Sequence, residues 1–596
     1  MSTKKDFFQA RAEKFQAEAV NLKSTAAITG WARVLSFVIV AVLVVYLIND
    51  RELMGAILTL LAYVPVFGFL VKKHNQQKHE RDIQLQLTRL NQEEILRLER
   101  KLKELPDSSA YLDMDHSYAP DLDIFGRHAL FQLINRNELQ GSKDLLAKWL
   151  SQPANAEEIK ARQEAVKELA PQTDWNQLLS AHSAEIKEKK KESLSISQHL
   201  DIIKRDTQVM DKGYWTTAKI LLPLFALGII IAISAFELDY RWIFLPVAIN
   251  TLFLRAIFSP LLELTKEMPQ LNRLLSSYEY ALTAIEKQDF QSTLLLNLQS
   301  RISNGTQASA SIAQLKVSLD FLTNRGNLIY GVLNSLFALD LLVLGRIKNW
   351  YTRHHQEVGQ WLEVVEETSV LADMASFTFA EASYIFPQVK DIEGFEASEM
   401  KHPLLPADVA VANDFGLKGK GQLALITGSN MSGKSTFLRT LGVNLVLAQM
   451  GAPIAAQSLS FTPLHIFTSM RTQDNLEESV SSFYAEIRRI KQLLDQLSGE
   501  QTVLYLLDEI LKGTNTKDRH AGAIALINQL TQSNCLGLIS THDVELAELS
   551  NDHMTNYSFN SQLENDEINF DYRLTDGPCK SFNASALMRQ MGIIQE

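Results

Sequence analysis

The chain has 596 residues and a formal net charge of −11 at pH 7, and this length predicts three or four domains. The acidic balance disfavours long-range attraction of a nucleic acid, although a local basic face would still permit its binding. Cys535 and Cys579 lie far apart without CxxC spacing, which argues against a disulfide framework and a cysteine zinc site. His354 and His355 have no neighbouring ligands in the sequence, so we predict a solvated helix pair rather than a metal site.

The N-terminal region predicts a cytoplasmic helix over 1–30 followed by a transmembrane hairpin over 31–73. Two apolar runs, 31–48 and 53–71, are separated by a polar turn, and each approaches the ~20 residues needed to cross ~30 Å of hydrocarbon. The polar leader lacks the shape of a cleaved signal peptide. We therefore expect the first span to remain as an anchor.

The following region predicts mostly helices. Residues 78–105 place apolar residues among charged ones up to Pro106, a pattern typical of a helical stalk with coiled-coil character, and we assign the stalk to 74–115. Long amphipathic runs over 116–216 and 259–395 predict the two parts of an all-α core and lever domain.

A second transmembrane hairpin is predicted between these two parts, over 217–258. Two prolines, Asn250 and Arg255 interrupt its apolar runs, so a buried hairpin within a soluble domain is the alternative. Basic residues flank the outer ends of both hairpins, and the positive-inside rule then places both termini in the cytoplasm. The prediction is a multi-pass protein of the cell (inner) membrane with four transmembrane helices.

One further apolar stretch, 328–344, is long enough to be taken for a fifth span. It contains Asn334 and Asp340, and a carboxylate in the middle of a bilayer is costly. An odd number of spans would also place the C-terminal region outside the cell, where there is no ATP supply. We therefore predict a single buried core helix here.

From 396 to 596, strands, glycine turns and helices alternate, which predicts an α/β domain. The run GSNMSGKS over 428–435 follows an apolar strand and precedes a helix, the context of a phosphate-binding P-loop. Glycines let backbone N–H groups face phosphates, Lys434 reaches the β- and γ-phosphates, and Ser435 offers a hydroxyl to Mg²⁺. A chance match is the alternative, and the strand–loop–helix context disfavours it. The predicted ATP contacts are Gly428, Ser429, Asn430, Met431, Ser432, Gly433, Lys434, Ser435 and Thr436.

A second motif supports the ATP site. The apolar strand 503–507 ends in Asp508 and Glu509, the pattern of a Walker B strand. Asp508 is the predicted magnesium ligand, and Glu509 is predicted to polarise the water that attacks the γ-phosphate. Two surface acids after a core strand are the alternative. Together with Lys434, these residues predict a Mg²⁺-dependent ATPase.

The sequences GSNMSGKSTFLR over 428–439, LDEILKGTNT over 507–516 and STH over 540–542 together resemble the ATPase domain of the MutS family of DNA mismatch repair proteins, a branch of the ABC-type ATPases. Weaker resemblance extends to 137–166 and 370–384. The resemblance implies a homodimer with two composite ATP sites.

The resemblance also implies roles for individual residues. Ser481, in the segment SSFYAE, would be presented across the dimer interface to the partner's γ-phosphate. His542 would sense the γ-phosphate, and Tyr572 falls where an aromatic ring stacks on adenine. Asp518 would close the interface loop, and His402 with its following proline matches the start of the domain.

Departures from the family pattern shape the functional prediction. No mismatch-reading segment is visible, and the first predicted hairpin and the stalk occupy the place of that domain. The second predicted hairpin lies about where the family carries its lever and DNA clamp. The leading prediction is a membrane-anchored, MutS-like ATPase coupled to mismatch-repair-related or branched DNA. One alternative is a membrane ATPase that acts on a protein partner without DNA. The other is an ABC-type transporter, against which the absence of an LSGGQ-like signature counts.

Overall fold

The computed structural model describes residues 2–183, 196–303, 307–470, 482–499, 501–543, 545–549, 552–564 and 567–579. Within these ranges, the part that precedes residue 381 is helical and the part that follows is a mixed α/β domain. The helices of the first part are α1 (Ser2–Asn49), α2 (Leu53–Leu98), α3 (Leu130–Ile134), α4 (Gln140–Ser151), α5 (Ala156–Leu169), α6 (Thr173–Ser183), α7 (Ile196–Thr207), α8 (Tyr214–Ala235), α9 (Phe244–Lys287), α10 (Thr293–Ser303), α11 (Ala308–Thr323), α12 (Leu328–Phe337) and α13 (Leu339–Ala380).

Within the described residues, four helices are long and apolar enough to cross a membrane, and they form two hairpins at the predicted turns. The spans lie in α1, α2, α8 and the start of α9, and α1 packs along α2. The count rises to five if the bent pair of α12 and α13 is taken as one span. These assignments rest on helix length and composition. Helices α1, α2 and α9 continue far beyond their apolar segments, so each joins its hairpin to the rest of the protein without a linker.

The prediction of one continuous buried helix over 328–344 is wrong, because two helices, α12 and α13, share this segment. The chain breaks at Ala338, which adopts a φ of 49°, and the axes of α12 and α13 differ by 82°. Asp340 explains the break, because its backbone N–H and its carboxylate both bind the side chain of Asn334 at 2.8 Å. The side-chain amide thus replaces the helical bonding that the αL residue interrupts.

The helix of the predicted stalk region 74–115 ends inside that region. Helix α2 stops at Leu98, and Arg100 follows with a φ of 55°. Its buried guanidinium donates to the carbonyl of Pro403 at 2.7 Å and to the carboxylate of Glu381 at 2.6 Å. The turn therefore joins the end of the stalk to the end of α13 and to the start of the α/β domain.

Helix α13 runs through the centre of the helical part and is buried along most of its length. The predicted solvated pair lies on it, and the structure corrects half of that prediction. His354 is buried between the rings of Trp350 and Trp361, whereas His355 is exposed and stacks on Tyr351. Adjacent residues of a helix point in different directions, so His354 faces the core while His355 faces solvent.

The part of the α/β domain that the structure describes contains two sheets. The smaller sheet has the order β1 (Gln388–Val389), β5 (Ser458–Phe461), β2 (Gly394–Met400) and β3 (Asn413–Lys418). The larger sheet has the order β10 (Glu567–Asp576), β9 (Met554–Glu564), β4 (Leu423–Gly428), β8 (Cys535–Thr541), β7 (Val503–Asp508) and β6 (His465–Ser469). All its strand pairs are parallel except β9 with β10. The helices of this domain are α14 (Lys434–Met450), α15 (Ser482–Gln496) and α16 (Thr516–Thr531).

The helical part and the α/β domain share one hydrophobic core. Helix α14 is buried on nearly every face and packs against α4 and α5 as well as against the sheet. At Gly442 a side chain would collide with Leu122, 2.7 Å from the position of a Cβ. Arg439 of the same helix donates to the carbonyl of Asp121 at 3.0 Å. A movement of α14 would therefore be passed to the helical core, because packed interiors leave no free space to absorb it.

Candidate nucleotide-binding site

The predicted site residues of the segment 428–436, together with Asp508, Glu509 and His542, lie at the carboxyl edge of the larger sheet. Strands β4, β7 and β8 are parallel neighbours, so the residues that follow them come together at this edge. Ser540 of β8 pairs with Ile426 of β4 on one side and with Asp508 of β7 on the other. The side chain of Ser540 donates a short hydrogen bond to the Asp508 carboxylate. Topology alone thus places the loop 429–433, the Walker B acids and His542 next to one another.

The loop 429–433 connects β4 to α14 and closes over the side chain of Lys434. Met431 and Gly433 adopt φ values of 69° and 105°, conformations that turn successive backbone N–H groups inward. The Lys434 side chain is only 4% exposed, and its Nζ donates to the carbonyls of Gly428 at 2.8 Å and Ser429 at 2.9 Å. An ammonium has three donors, so one remains for a ligand.

A cavity of about 390 Å³ lies against this loop and the first turn of α14. Its volume is in the range of small-molecule sites. Nine predicted site residues line it, whereas Gly428, Ser429, Asp508 and His542 are not among the lining residues. The nine are Asn430, Met431, Ser432, Gly433, Lys434, Ser435, Thr436, Glu509 and Tyr572.

The lining suits a phosphate group. The hydroxyl of Ser432 is buried and has no hydrogen-bond partner among the described residues, so an acceptor oxygen in the cavity would satisfy it. The N-terminus of α14 adds unpaired backbone N–H groups and the positive end of its dipole. The loop is also tightly packed, since a Cβ at Gly433 would lie 3.1 Å from Cδ1 of Tyr572. Ser435 and Asp508 offer the hydroxyl and carboxylate oxygens that Mg²⁺ prefers.

Two basic groups surround the carboxylate of Glu509, which is half-buried. Its Oε2 lies 3.0 Å from Nζ of Lys512, and its Oε1 lies 3.9 Å from Nδ1 of His542. Burial alone would raise the pKa of Glu509, but Lys512, His542 and Lys434 together lower it below its usual range. The carboxylate is therefore ionised at neutral pH. Its backbone N–H donates to the carbonyl of Ser540 at 2.9 Å, which fixes the residue against β8.

The charge of Lys434 depends on the same acids. Burial lowers the pKa of the Lys434 ammonium, while the nearby carboxylates of Glu509 and Asp508 act in the opposite direction. A bound phosphate would add further negative charge and would favour the protonated lysine. The positive charge of Lys434 therefore favours binding of an anion at this site.

Glu486 is a site residue for which the sequence suggested no separate role. It lies on α15, and its carboxylate accepts hydrogen bonds from the backbone N–H groups of Leu511 and Lys512, the latter at 3.0 Å. Burial raises the pKa of Glu486, and these N–H groups oppose that effect. The contact holds the turn that follows Glu509. The available signal in the sequence is the acid at the last position of the segment SSFYAE.

His402 and Asn413 also belong to the cavity region. Burial, with the charge of Arg439, lowers the pKa of His402 to about 4. The ring is therefore neutral, and its Nδ1 accepts a hydrogen bond from the backbone N–H of Leu404 at 3.2 Å. Asn413 binds both the carbonyl of Tyr572 at 3.1 Å and the N–H of Leu574 at 2.7 Å. It bridges the irregular part of β10 that carries Tyr572.

Comparison with known proteins agrees with this arrangement. Residues 424–593 match the family model of MutS domain V. This region is similar to MutS domain V. The match covers the loop 429–433, the Walker B strand and the strands up to β10, and so includes most of the cavity lining. The helical part lies outside it.

Individual relatives carry the same family names. The chain is 29% identical over 262 residues to Endonuclease MutS2 of Bacillus velezensis, which covers 42% of this chain and 32% of that protein. It is 29% identical over 260 residues to DNA mismatch repair protein MutS of Christiangramia forsetii, covering 42% and 30%. It is 29% identical over 261 residues to probable DNA mismatch repair protein Msh6 of Drosophila melanogaster, covering 41% and 22%. The chain therefore spans about a third or less of the length of these relatives.

Within the MutS-like region, the residues predicted from resemblance have different outcomes. Tyr572 lies at the cavity, partly exposed, with its ring stacked on Phe570 at a centroid distance of 6.1 Å. Asp518 is in the first turn of α16, where its N–H binds the side chain of Asn515 at 3.0 Å. Ser481 lies outside the described residues. It immediately precedes α15, the helix that carries Glu486.

Proposed function

We propose that this protein is a magnesium-dependent ATPase of the MutS type, anchored in a membrane and active as a homodimer. One observation carries the enzymatic part. The strands β4, β7 and β8 end at one edge of the sheet, where Lys434 and Glu509 line a cavity of about 390 Å³ and Nδ1 of His542 lies 3.9 Å from Oε1 of Glu509. The similarity of 424–593 to MutS domain V supports the same reading.

The chemistry that we propose is attack of water on the γ-phosphorus of ATP, which breaks the bond to the β,γ-bridging oxygen and releases ADP and phosphate. Lys434 exchanges its bonds to two backbone carbonyls for bonds to phosphate oxygens. Glu509 accepts a hydrogen bond from the attacking water and orients it, and His542 donates to the γ-phosphate. Ser435 and Asp508 would hold Mg²⁺, which supplies charge neutralisation when bound.

The enzymatic proposal is tested by replacing the water-orienting acid. The Glu509→Gln variant should bind ATP with near wild-type affinity and hydrolyse it about 10²-fold or more slowly, because a positioned base contributes ~10²–10⁴ to the rate. Asp495→Asn, an exposed acid on α15, is the matched control and should retain wild-type turnover. Equal turnover in all three proteins would contradict the role of Glu509.

The composite dimer site is a second element of the proposal. Ser481 of each subunit would complete the partner's site, so Ser481→Ala and Lys434→Ala should each abolish turnover. A mixture of the two variants should recover about a quarter of wild-type activity, because half of randomly paired dimers would keep one complete site in a two-fold symmetric arrangement. No recovery on mixing, with heterodimers demonstrated, would contradict sharing of the site.

Membrane anchoring is supported by the four candidate spans and by the basic residues that flank them. We propose spans within 31–73 and 217–258, the core and lever domain over 116–216 and 259–395, and the ATPase domain over 396–596 on the cytoplasmic side of the cell membrane. The shared core around α14 would pass closure of the ATP site to the helical part. A helical part tied to two hairpins would then move relative to the membrane.

DNA is the first ligand to test, because the names of the relatives refer to mismatch repair. Binding should act mainly on the backbone or on branched structures and fall steeply with salt. The experiment compares retention of duplex, mismatched and branched DNA by the detergent-solubilised Glu509→Gln variant with ATP. The net charge of −11 favours a protein partner instead, and absence of both DNA retention and DNA-stimulated turnover would favour that alternative.

A further inference from the structure

Helix α12 has the composition of a membrane-embedded segment but half the length of a span. Its ten residues, Leu328–Phe337, contain no charged side chain. Val332 and Leu333 are 55% and 40% exposed, although apolar residues at neighbouring positions of a soluble helix would normally be covered. At ~1.5 Å per residue the helix is about 15 Å long, half the thickness of a bilayer core.

Its neighbours are the candidate spans of the second hairpin. Helix α12 packs against both α8 and α9. Asn250, which stands in the middle of the fourth candidate span, donates from Nδ2 to the carbonyls of Ser335 at 3.0 Å and Leu336 at 2.6 Å. The end of α12 thus lies beside the centre of an apolar segment, and the polar residue that interrupts this segment has a partner there.

The break after α12 is satisfied internally. Asp340 accepts hydrogen bonds from Tyr330 and Asn334, both at 2.8 Å, and forms an ion pair with Arg325 at 3.0 Å. Its side chain is almost fully buried. A helix end or a carboxylate in hydrocarbon is tolerated only when the protein itself supplies its partners. Asn250 and this cluster together supply them.

We infer that α12 is a re-entrant half-helix, which enters the lipid bilayer beside the second hairpin, turns at Ala338 and returns through the start of α13 on the same side. The face of α12 that carries Val332 and Leu333 contacts the hydrocarbon of the bilayer. The neighbouring helix α11, which packs on α9, also exposes Val317 and Phe321. This inference rests on the proposed membrane spans and adds to them a membrane element that does not cross.

The test is single-cysteine labelling in sealed vesicles with a membrane-impermeant maleimide. Val332→Cys should react at least about tenfold more slowly than Leu296→Cys, an exposed apolar position on α10, because maleimides attack the thiolate and apolar surroundings suppress its formation. Leu224→Cys, exposed on α8 within a candidate span, reports the hairpin itself. The wild-type chain gives the background, since Cys535 and Cys579 are both buried.

Sidedness separates a re-entrant helix from a fifth span. Leu296→Cys and Gln360→Cys, the latter exposed on α13, should both react from the cytoplasmic side. Reaction from opposite sides would overturn the inference in favour of a crossing. Fast reaction at Val332→Cys with slow reaction at Leu224→Cys would overturn the inference and leave the proposed hairpin intact. Fast reaction at both would contradict the hairpin as well. ATP binding by each variant confirms that it is folded.

Discussion

Glu509 and Lys512 form an ion pair one turn after the Walker B strand, with Oε2 of the glutamate 3.0 Å from Nζ of the lysine. The other carboxylate oxygen faces His542 at 3.9 Å. Glu509 is the group that we propose to orient the attacking water. Lys512 therefore controls both the position and the charge of that group. It lies within the segment LDEILKGTNT over 507–516, but the motif gave it no separate role.

The first prediction concerns pH dependence in a Lys512→Met variant. Burial raises the pKa of Glu509 and Lys512 is the largest influence that lowers it, so removal of Lys512 should raise this pKa. The acid limb of kcat/KM should then move to higher pH, because the base becomes protonated earlier as pH falls. Lys491→Met, at an exposed position of α15, should leave the limb in place. Superimposable acid limbs in the Lys512 variant and wild type would show that Lys512 does not lower the pKa of Glu509.

The second prediction concerns Glu486. In Glu486→Ala the partly buried N–H of Leu511 and the exposed N–H of Lys512 lose their charged acceptor, and a hydrogen bond to a charged group contributes about 1.5–3 kcal/mol. We expect kcat to fall about tenfold or more, since 1.4 kcal/mol corresponds to a factor of ten, while ATP affinity changes little. Asp495→Ala on the same helix is the control. A loss of ATP affinity with unchanged kcat would show that Glu486 acts elsewhere.

The third prediction concerns the joint between stalk and ATPase domain. Arg100→Met would leave Glu381 buried without its cation, and breaking a buried pair in this way costs about 3–5 kcal/mol of unfolding free energy. Arg100→Met/Glu381→Met should recover part of the loss, because the unpaired charge is gone. The exposed pair Lys418–Glu396 offers the comparison: Lys418→Met should cost at most about 1 kcal/mol. Denaturant unfolding in detergent measures all three, and equal costs at the two sites would refute a buried joint.

The fourth prediction concerns His402. Burial lowers its pKa from 6.5 to about 4, so between these values the unfolded chain binds a proton that the folded chain does not. Stability from this residue is therefore present above pH 6.5 and is lost as pH falls towards 4. The His402→Asn variant should show a smaller drop in thermal midpoint between pH 7 and pH 5 than wild type. His355→Asn, on the exposed face of α13, should match wild type, and identical drops in all three would contradict the prediction.

Local sequence was enough to predict the framework of the site. The apolar run 423–426, the glycine-rich loop and the following helix appear as β4, the loop 429–433 and α14, and the Walker B strand appears as β7. The turns of both hairpins also appear where polar residues interrupt the apolar runs. These features depend on the backbone preferences and hydrophobic periodicity of consecutive residues, and both can be determined from the sequence alone.

Which side chains meet was decided by the tertiary structure. Glu486 reaches a turn 25 residues away, and Arg100 reaches Glu381 across 281 residues. The apolar stretch around 328–344 predicts burial along one helix, yet Asn334 and Asp340 bind each other across a break that no periodicity marks. A hydrophobic pattern predicts which residues are buried, but it does not predict which other residue each of them contacts. The sequence by itself thus determined the motifs, the apolar segments and the classes of the elements, whereas the partners of Glu509, Arg100 and Asp340 depended on contacts that form only when distant segments pack together.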